Sequence, residues 1–182
     1  MSGISPIIYL FISLLQFIIL LRFICQAMNV NYYNPVTQSI VKLSGYILKP
    51  FEILSFKLNT FFLLLILYLF TLAKFYLPML ATFESFTMTS FMVIALSYLI
   101  KDLTNIFFYL IIISAIKSWF NVFVNHPIFS LIDELCEPLY SFVRSVLPPI
   151  SGIDFSPIVI LFFLQLLERF LVPQIINLGY II

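Results

Sequence analysis

Residues 137–157, "EPLYSFVRSVLPPISGIDFSP", decide how this chain is read. The stretch carries four of the chain's 10 prolines and three charged residues, yet long apolar runs stand on both sides of it. Proline suits the first turn of a helix and breaks a hydrogen bond in the interior. Two short helices meeting near Glu137, the second starting at Pro138, are therefore predicted. Pro148-Pro149 ends the second helix, and Ser151-Gly152 permits a turn. Asp154 stands three residues before Pro157, where a new apolar run begins. Its carboxylate is placed to cap backbone N–H groups left unpaired there, with Ser156 as the competing cap. The stretch reads as an elbow that lies on a membrane surface and returns the chain into the bilayer.

Composition supports a membrane setting. Of 182 residues, 63% are apolar and only 9% charged, against roughly 25% charged in soluble domains. The formal net charge is +1, which gives no pull toward nucleic acid. Cys25 and Cys136 are too few for a disulfide framework and read as small apolar fillers. Lys and Arg are absent before Arg22, and the apolar run from Ile4 to Ile24 exceeds the core of a removable signal. That run is expected to remain as a membrane helix.

About 20 apolar residues are needed to cross the hydrocarbon core as a helix. Four segments meet this: Ser5–Met28, Thr60–Leu80, Leu103–Val124 and Pro157–Pro173 with its tail. A shorter run, Phe86–Ile100, lies between Glu84 and Lys101-Asp102. It reads as an interfacial helix or as a fifth, tilted span.

A shift of 92 positions superposes Ile24, Asn29, Val30, Pro35, Ile40 and Leu43 on Ile116, Asn121, Val122, Pro127, Ile132 and Leu135, all identical. Further on, "AKFYLP" (73–78) aligns with "ERFLVP" (168–173). A tandem duplication is inferred. The first repeat covers residues 1–82 with an elbow at 35–56. A connecting segment covers 83–102, and the second repeat covers 103–182 with an elbow at 127–156. In the second elbow Ile128, Leu131, Ile132, Leu135, Leu139, Phe142, Val143 and Val146 recur at helical spacing, opposite Asp133, Glu134, Glu137, Ser141, Arg144 and Ser145. Such two-faced helices between spans lie in the interface plane.

Asn34-Pro35, Arg22, Ser118-Trp119 and above all "EPLYSFVRSVLPPISGIDFSPIVILFFLQLL" (137–167) resemble the YggT family of small bacterial integral membrane proteins. The matching positions are Glu137-Pro138-Leu139, Arg144, Leu147-Pro148 and the run Gly152-Ile153-Asp154-Phe155-Ser156-Pro157. The resemblance implies a two-repeat protein of the bacterial inner (cytoplasmic) membrane. It also implies a role in tolerance of osmotic or ionic stress, since some family members are associated with that. Photosynthetic relatives are associated with division, nucleoid distribution and haem-protein assembly in plastid membranes. There are departures: Phe142 and Val143 are apolar where the family often has a second basic residue, and Glu52 stands in the first half where Arg144 stands in the second.

Chemistry is sparse. His126 is the lone histidine and reads as a cap or turn residue. Asp133, Glu134 and Glu137 read as a solvated acidic face. No phosphate-cradling loop or nucleophile elbow occurs, so no catalytic residue, metal ligand or cofactor is expected. The ionisable residues in or near spans, Arg22, Lys74, Glu168 and Arg169, are the sharper signal, because charge in hydrocarbon is costly unless paired or snorkelled. A pair between Glu168 and Lys74 or Arg22 is the specific form expected of a polar pathway.

The expectation is an all-α polytopic membrane protein with two tandem repeats of transmembrane helix, amphipathic elbow and transmembrane helix. Its motif residues are Arg22, Asn34, Pro35, Lys74, Pro138, Arg144, Pro148, Gly152, Asp154, Ser156, Pro157 and Glu168. Function is expected to be non-enzymatic: an accessory protein supporting envelope or osmotic homeostasis, or alternatively a small oligomeric, potassium-linked channel or transporter. Its partners would be the lipid bilayer and a membrane protein or second copy of the chain, not nucleic acid.

Overall fold

A computed structural model describes residues 4–52, 59–80, 87–120, 126–149 and 154–181. Among them every regular element is helical. The order is α1 (Ile4–Ala27), α2 (Pro35–Glu52), α3 (Thr60–Leu80), α4 (Met88–Phe120), α5 (Pro127–Val146), α6 (Ser156–Leu166), a π-helical turn (Leu167–Leu171) and α7 (Val172–Ile181). Three helical stretches are long and apolar enough to cross a membrane: Pro6–Ala27, Met88–Ser118 and Ser156–Ile181. A shorter apolar stretch, Thr60–Tyr76, lies in α3. With 21 residues, α3 is about 30 Å long at 1.5 Å per residue.

The run Phe86–Ile100 is not a separate element. From Met88 it continues through Lys101-Asp102 into the next apolar run as one helix of 33 residues. Two adjacent charges ordinarily mark an exit from hydrocarbon. Here Asp102 is paired from two other helices, so the helix need not stop.

The amino-terminal helices pack as α1 against α2 and α3, with α3 also against α4. Ile19, Leu20, Ile24 and Cys25 of α1 meet Leu63, Ile66 and Leu67 of α3, closed by Leu48 of α2 and by Leu131 and Leu135 of α5. A second core joins Ile111 of α4, Ile132, Cys136 and Tyr140 of α5, and Ile160 and Leu164 of α6. α7 also packs on α4. A Cβ on Gly179 would stand 2.6 Å from Ile94 Cγ1 and 3.3 Å from the Ser90 carbonyl oxygen, so a glycine lets these helices approach.

α1 stops because Asn29 adopts φ 53°, the left-handed conformation that asparagine tolerates. Val30 N–H then donates to Cys25 O at 3.1 Å and Asn29 N–H to Gln26 O at 3.3 Å. The two elbow helices, α2 and α5, start at Pro35 and Pro127 and pack on one another. Both therefore lie at the same end of the bundle, and α4 runs the whole way back to that end.

α5 corrects a sequence-based expectation. It is a single helix from Pro127 to Val146 with Pro138 inside it, not two helices meeting at Glu137. Pro138 is exposed while Leu135, Cys136 and Tyr140 around it are buried. An interior proline costs about 3 kcal/mol. Burying side chains of that size recovers about 1.5–3 kcal/mol each, so packing carries the helix through.

Candidate functional site

The second elbow and the start of the last helix enclose a cleft of about 560 Å³. Ser114, Lys117 and Ser118 of α4 form one wall, Asp133, Glu137, Tyr140 and Arg144 of α5 another, and Asp154 and Pro157 the third. Helical spacing explains the α5 wall: 133, 137, 140 and 144 fall at intervals of three and four and share a face.

Arg144 is the hub. Its Nε and Nη2 donate to Asp154 Oδ2 at 2.9 and 2.7 Å. Its Nη1 lies 3.4 Å from both oxygens of Glu137, and its guanidinium sits 5.1 Å from the Tyr140 ring centroid. Asp154 Oδ1 accepts from Ser156 N–H at 2.8 Å. One carboxylate therefore caps α6 and ties it to α5. Between the two cap candidates the bond belongs to Asp154; the buried Ser156 hydroxyl has no partner among the described residues. Burial pushes the Asp154 carboxyl up, but hydrogen bonds from Ser156 and Arg144 outweigh it and hold the group below its usual range. Burial likewise works against the Arg144 charge, and Asp154 and Glu137 more than compensate.

The carboxylates of α5 keep solvent access, with the Asp133 and Glu137 side chains 46% and 60% exposed, and also find partners. Asp133 pairs with Lys117. Glu134 Oε2 accepts from Asn31 N–H at 2.6 Å. Tyr140 is only 6% exposed, and burial pushes its phenol up to about 12. Ser114 lies close enough to temper that shift, yet the hydroxyl has no hydrogen-bond partner within geometric reach among the described residues. His126 caps α5 by accepting Ile128 N–H at Nδ1, at 3.3 Å.

A second polar cluster lies inside the helix bundle. Gln16 of α1 is 2% exposed and Lys74 of α3 is 8% exposed. Gln16 Nε2 donates to Thr71 Oγ1 and to Asp102 Oδ2, each at 3.0 Å. Lys74 Nζ stands 3.4 Å from the same Asp102 oxygen and 5.5 Å from the Tyr9 ring centroid. Gln16 Oε1 and Ser13 Oγ are buried without partners among the described residues, and both residues line a cavity of about 250 Å³ with Lys74, Asp102, Asn105 and Tyr109. Gln16 is 11 residues from the end of α1 and Thr71 is 11 from the start of α3. Both thus lie about 16 Å from the elbow end, at half the depth of a bilayer core.

The expected residues separate into groups. Pro138, Arg144, Asp154, Ser156 and Pro157 gather at the second elbow. Pro148 is exposed beyond α5, and Gly152 lies outside the described residues. Asn34 and Pro35 join the first elbow to the second: Asn34 Nδ2 donates to Pro127 O at 2.8 Å, and Asn34 Oδ1 accepts from Val36 N–H at 2.9 Å. Arg22 lines a small cavity with Cys25, Gln26, Tyr32 and Thr37. Lys74 pairs with Asp102 rather than with Glu168. Glu168 lies on the π turn, where the described residues give it no ion pair, and Gln165 accepts from Arg169 at 3.2 Å. Sequence reading missed Gln16, Lys117, Tyr140 and Asp102. For Asp102 a signal exists, an acid flanked on both sides by apolar sequence, but the adjacent Lys101-Asp102 charges read locally as a boundary.

The helices, their apolar surfaces and their buried charge define a polytopic helical membrane protein. The family description CCB3/YggT matches residues 93–175. An uncharacterized protein of Haemophilus influenzae is 33% identical over 165 residues, covering 88% of this chain and 86% of that one. An uncharacterized protein of Pseudomonas aeruginosa is 28% identical over 167 residues, 90% of this chain and 85% of the relative. The uncharacterized protein YggT of Escherichia coli K12 is 28% identical over 160 residues, 86% and 82% of the two chains. No solved structure matches. The chain belongs to the YggT family.

Proposed function

We propose that this protein is a non-enzymatic, multi-pass component of the bacterial inner membrane that supports envelope homeostasis under osmotic stress. In this reading α1, α3, α4 and the α6–α7 rod are four spans. α2 and α5 are amphipathic elbows on the cytoplasmic face, and the two halves descend from one duplicated unit. The elbows engage lipid headgroups or a membrane partner, including a second copy of the chain. The carrying observation is the Arg144–Asp154 pair, which fixes the elbow to the entry of the last span. Among the described residues, five basic ones on the elbow side (Arg22, Lys42, Lys49, Lys117 and Arg144) against three elsewhere (Lys74, Lys101 and Arg169) support a cytoplasmic elbow by the positive-inside rule. The test is growth at high osmolarity of a host lacking its own family member. Wild-type protein is expected to restore growth, and an Arg144→Ala variant present in the membrane at equal amount is not. Equal rescue by both would refute the role given to the elbow.

A second reading, a small oligomeric potassium-linked channel or transporter, is favoured by one observation: the Gln16–Lys74–Asp102 cluster at mid-depth. Intramembrane charges mark ion pathways often enough to be tested directly. Potassium flux into liposomes carrying the protein, abolished by Asp102→Asn, would establish it. No flux above empty liposomes, with the protein inserted and folded, removes it.

A further inference from the structure

We propose that the cleft beneath the second elbow binds the headgroup of an aminophospholipid, a primary ammonium joined to a phosphodiester, as in phosphatidylethanolamine. This rests on the reading of α5 as an interfacial elbow and names what the elbow holds.

The first argument is charge. Five charged groups line the cleft: Lys117 and Arg144, against Asp133, Glu137 and Asp154. Two pairs are closed, Lys117 with Asp133 and Arg144 with Asp154. Glu137 is the surplus carboxylate. Its contact with Arg144 Nη1 is 3.4 Å, well beyond the roughly 2.7–2.9 Å of a charge-assisted hydrogen bond, and its side chain is 60% exposed. A bound ammonium takes Glu137, and the Nη1 edge so released faces a phosphate oxygen. Only a ligand with neighbouring positive and negative groups satisfies both. Among the described residues no three acidic, His or Cys side chains group as metal ligands would, so an ammonium fits better than a divalent cation.

The second argument is the unused hydroxyl. Tyr140 lines the cleft while almost wholly buried, and its oxygen has no hydrogen-bond partner among the described residues. Burying a hydroxyl unpaired costs about 1–3 kcal/mol. A ligand N–H or bridging water answers that need.

Position and size give the third. Lys117 is three residues from the end of α4 and Asp154 two before the start of α6, so the cleft straddles the level where both helices leave hydrocarbon. Its volume lies within the roughly 300–1,000 Å³ of small-molecule sites. Phe155, the residue before α6, and Ile158 on α6 are exposed apolar side chains flanking Asp154 and Pro157 of the cleft in sequence. They provide surface for acyl chains, which favours a lipid over a free zwitterion.

The test uses the full chain, purified and delipidated in a maltoside detergent. It is offered phosphatidylethanolamine, phosphatidylcholine, phosphatidylglycerol or soluble phosphoethanolamine, and retained ligand is counted by native mass spectrometry. Phosphatidylethanolamine is expected to be retained about tenfold over phosphatidylcholine, which has no ammonium N–H, and over phosphatidylglycerol, which has no ammonium. Glu137→Gln should bring the first two lipids to parity while leaving thermal unfolding unchanged, since residue 137 is exposed. Arg144→Lys, which keeps charge but loses the forked geometry, should weaken phosphatidylethanolamine and leave phosphatidylcholine as it was. Equal retention of all three lipids, or an unaltered preference in Glu137→Gln, overturns the proposal. Binding of phosphoethanolamine without lipid retention overturns it in favour of a soluble zwitterion. Osmotic rescue that depends on Arg144 while lipid preference is absent would leave the elbow function standing and this proposal refuted.

Discussion

Asn34, one residue before α2, donates its Nδ2 to the carbonyl of Pro127, the first residue of α5, across 2.8 Å. The same side chain accepts from Val36 N–H, so it caps its own helix and clamps it to the other elbow.

Asn34→Ala removes both bonds from a buried position. A lost cap costs about 1 kcal/mol, and the Pro127 carbonyl is left without this donor. A loss of about 1–2 kcal/mol is expected, read as a lower thermal midpoint in detergent. Asn34→Asp, which keeps the cap and loses the donor, should fall between wild type and Asn34→Ala. An Asp variant no better than Ala would show that the cap contributes nothing.

Lys74→Met strands Asp102 among α1, α3 and α4. Removing one partner of a buried ion pair costs about 3–5 kcal/mol, and the low end applies because the Asp102 side chain is 29% exposed. Asp102→Asn retains an acceptor for Gln16 and should recover part of the loss in the double variant. Strictly additive losses would mean that the two side chains do not interact.

Asp154 gives a pH dependence of defined sign. Its carboxyl is held lower in the folded chain than its ordinary value. It therefore contributes stability above about pH 4, the unfolded carboxylate range, and that contribution fades as pH falls through the lower folded value. Thermal midpoints taken from pH 7 to pH 3 should fall less steeply for Asp154→Asn than for wild type. Parallel curves would mean that the pair with Arg144 and the α6 cap are not coupled to folding.

Gly179→Leu forces a side chain into the space held by Ile94 and the Ser90 carbonyl. Overpacking of this kind costs about 1–3 kcal/mol. The variant should unfold earlier and show faster proteolysis near its carboxyl end, whereas Leu178→Ala at a neighbouring exposed position should not. Equal behaviour of the two variants would argue against close α4–α7 packing.

Much of the architecture was legible because apolar runs and helical spacing act locally. Leu131, Ile132 and Leu135 mark the buried stripe of α5 without knowledge of its neighbours. Asp102 was not legible in the same way. Its meaning depends on Lys74, 28 residues earlier, and on Gln16, 86 residues earlier, so the charge reads as a break until the helices are assembled. Pro138 misled for a related reason: local chemistry argues for a helix boundary, and burial on the opposite face overrides it. The Arg144–Asp154 bond was within reach, since both residues lie in one motif, but its geometry needed the turn between α5 and α6.

The π turn at Leu167–Leu171 fixes the angular phase of the last helix. A π turn absorbs one extra residue without leaving the helix, and each α-helical residue advances the face by about 100°. Taking one residue out of 167–171 would let the rod close into uninterrupted α-helix. Everything beyond would keep its face, with Val172 and Gly179 still buried, whereas winding the same number of residues as plain α-helix would rotate both away from α4 by that step. The seat of the carboxyl-terminal ten residues is therefore set by a count of residues five positions long.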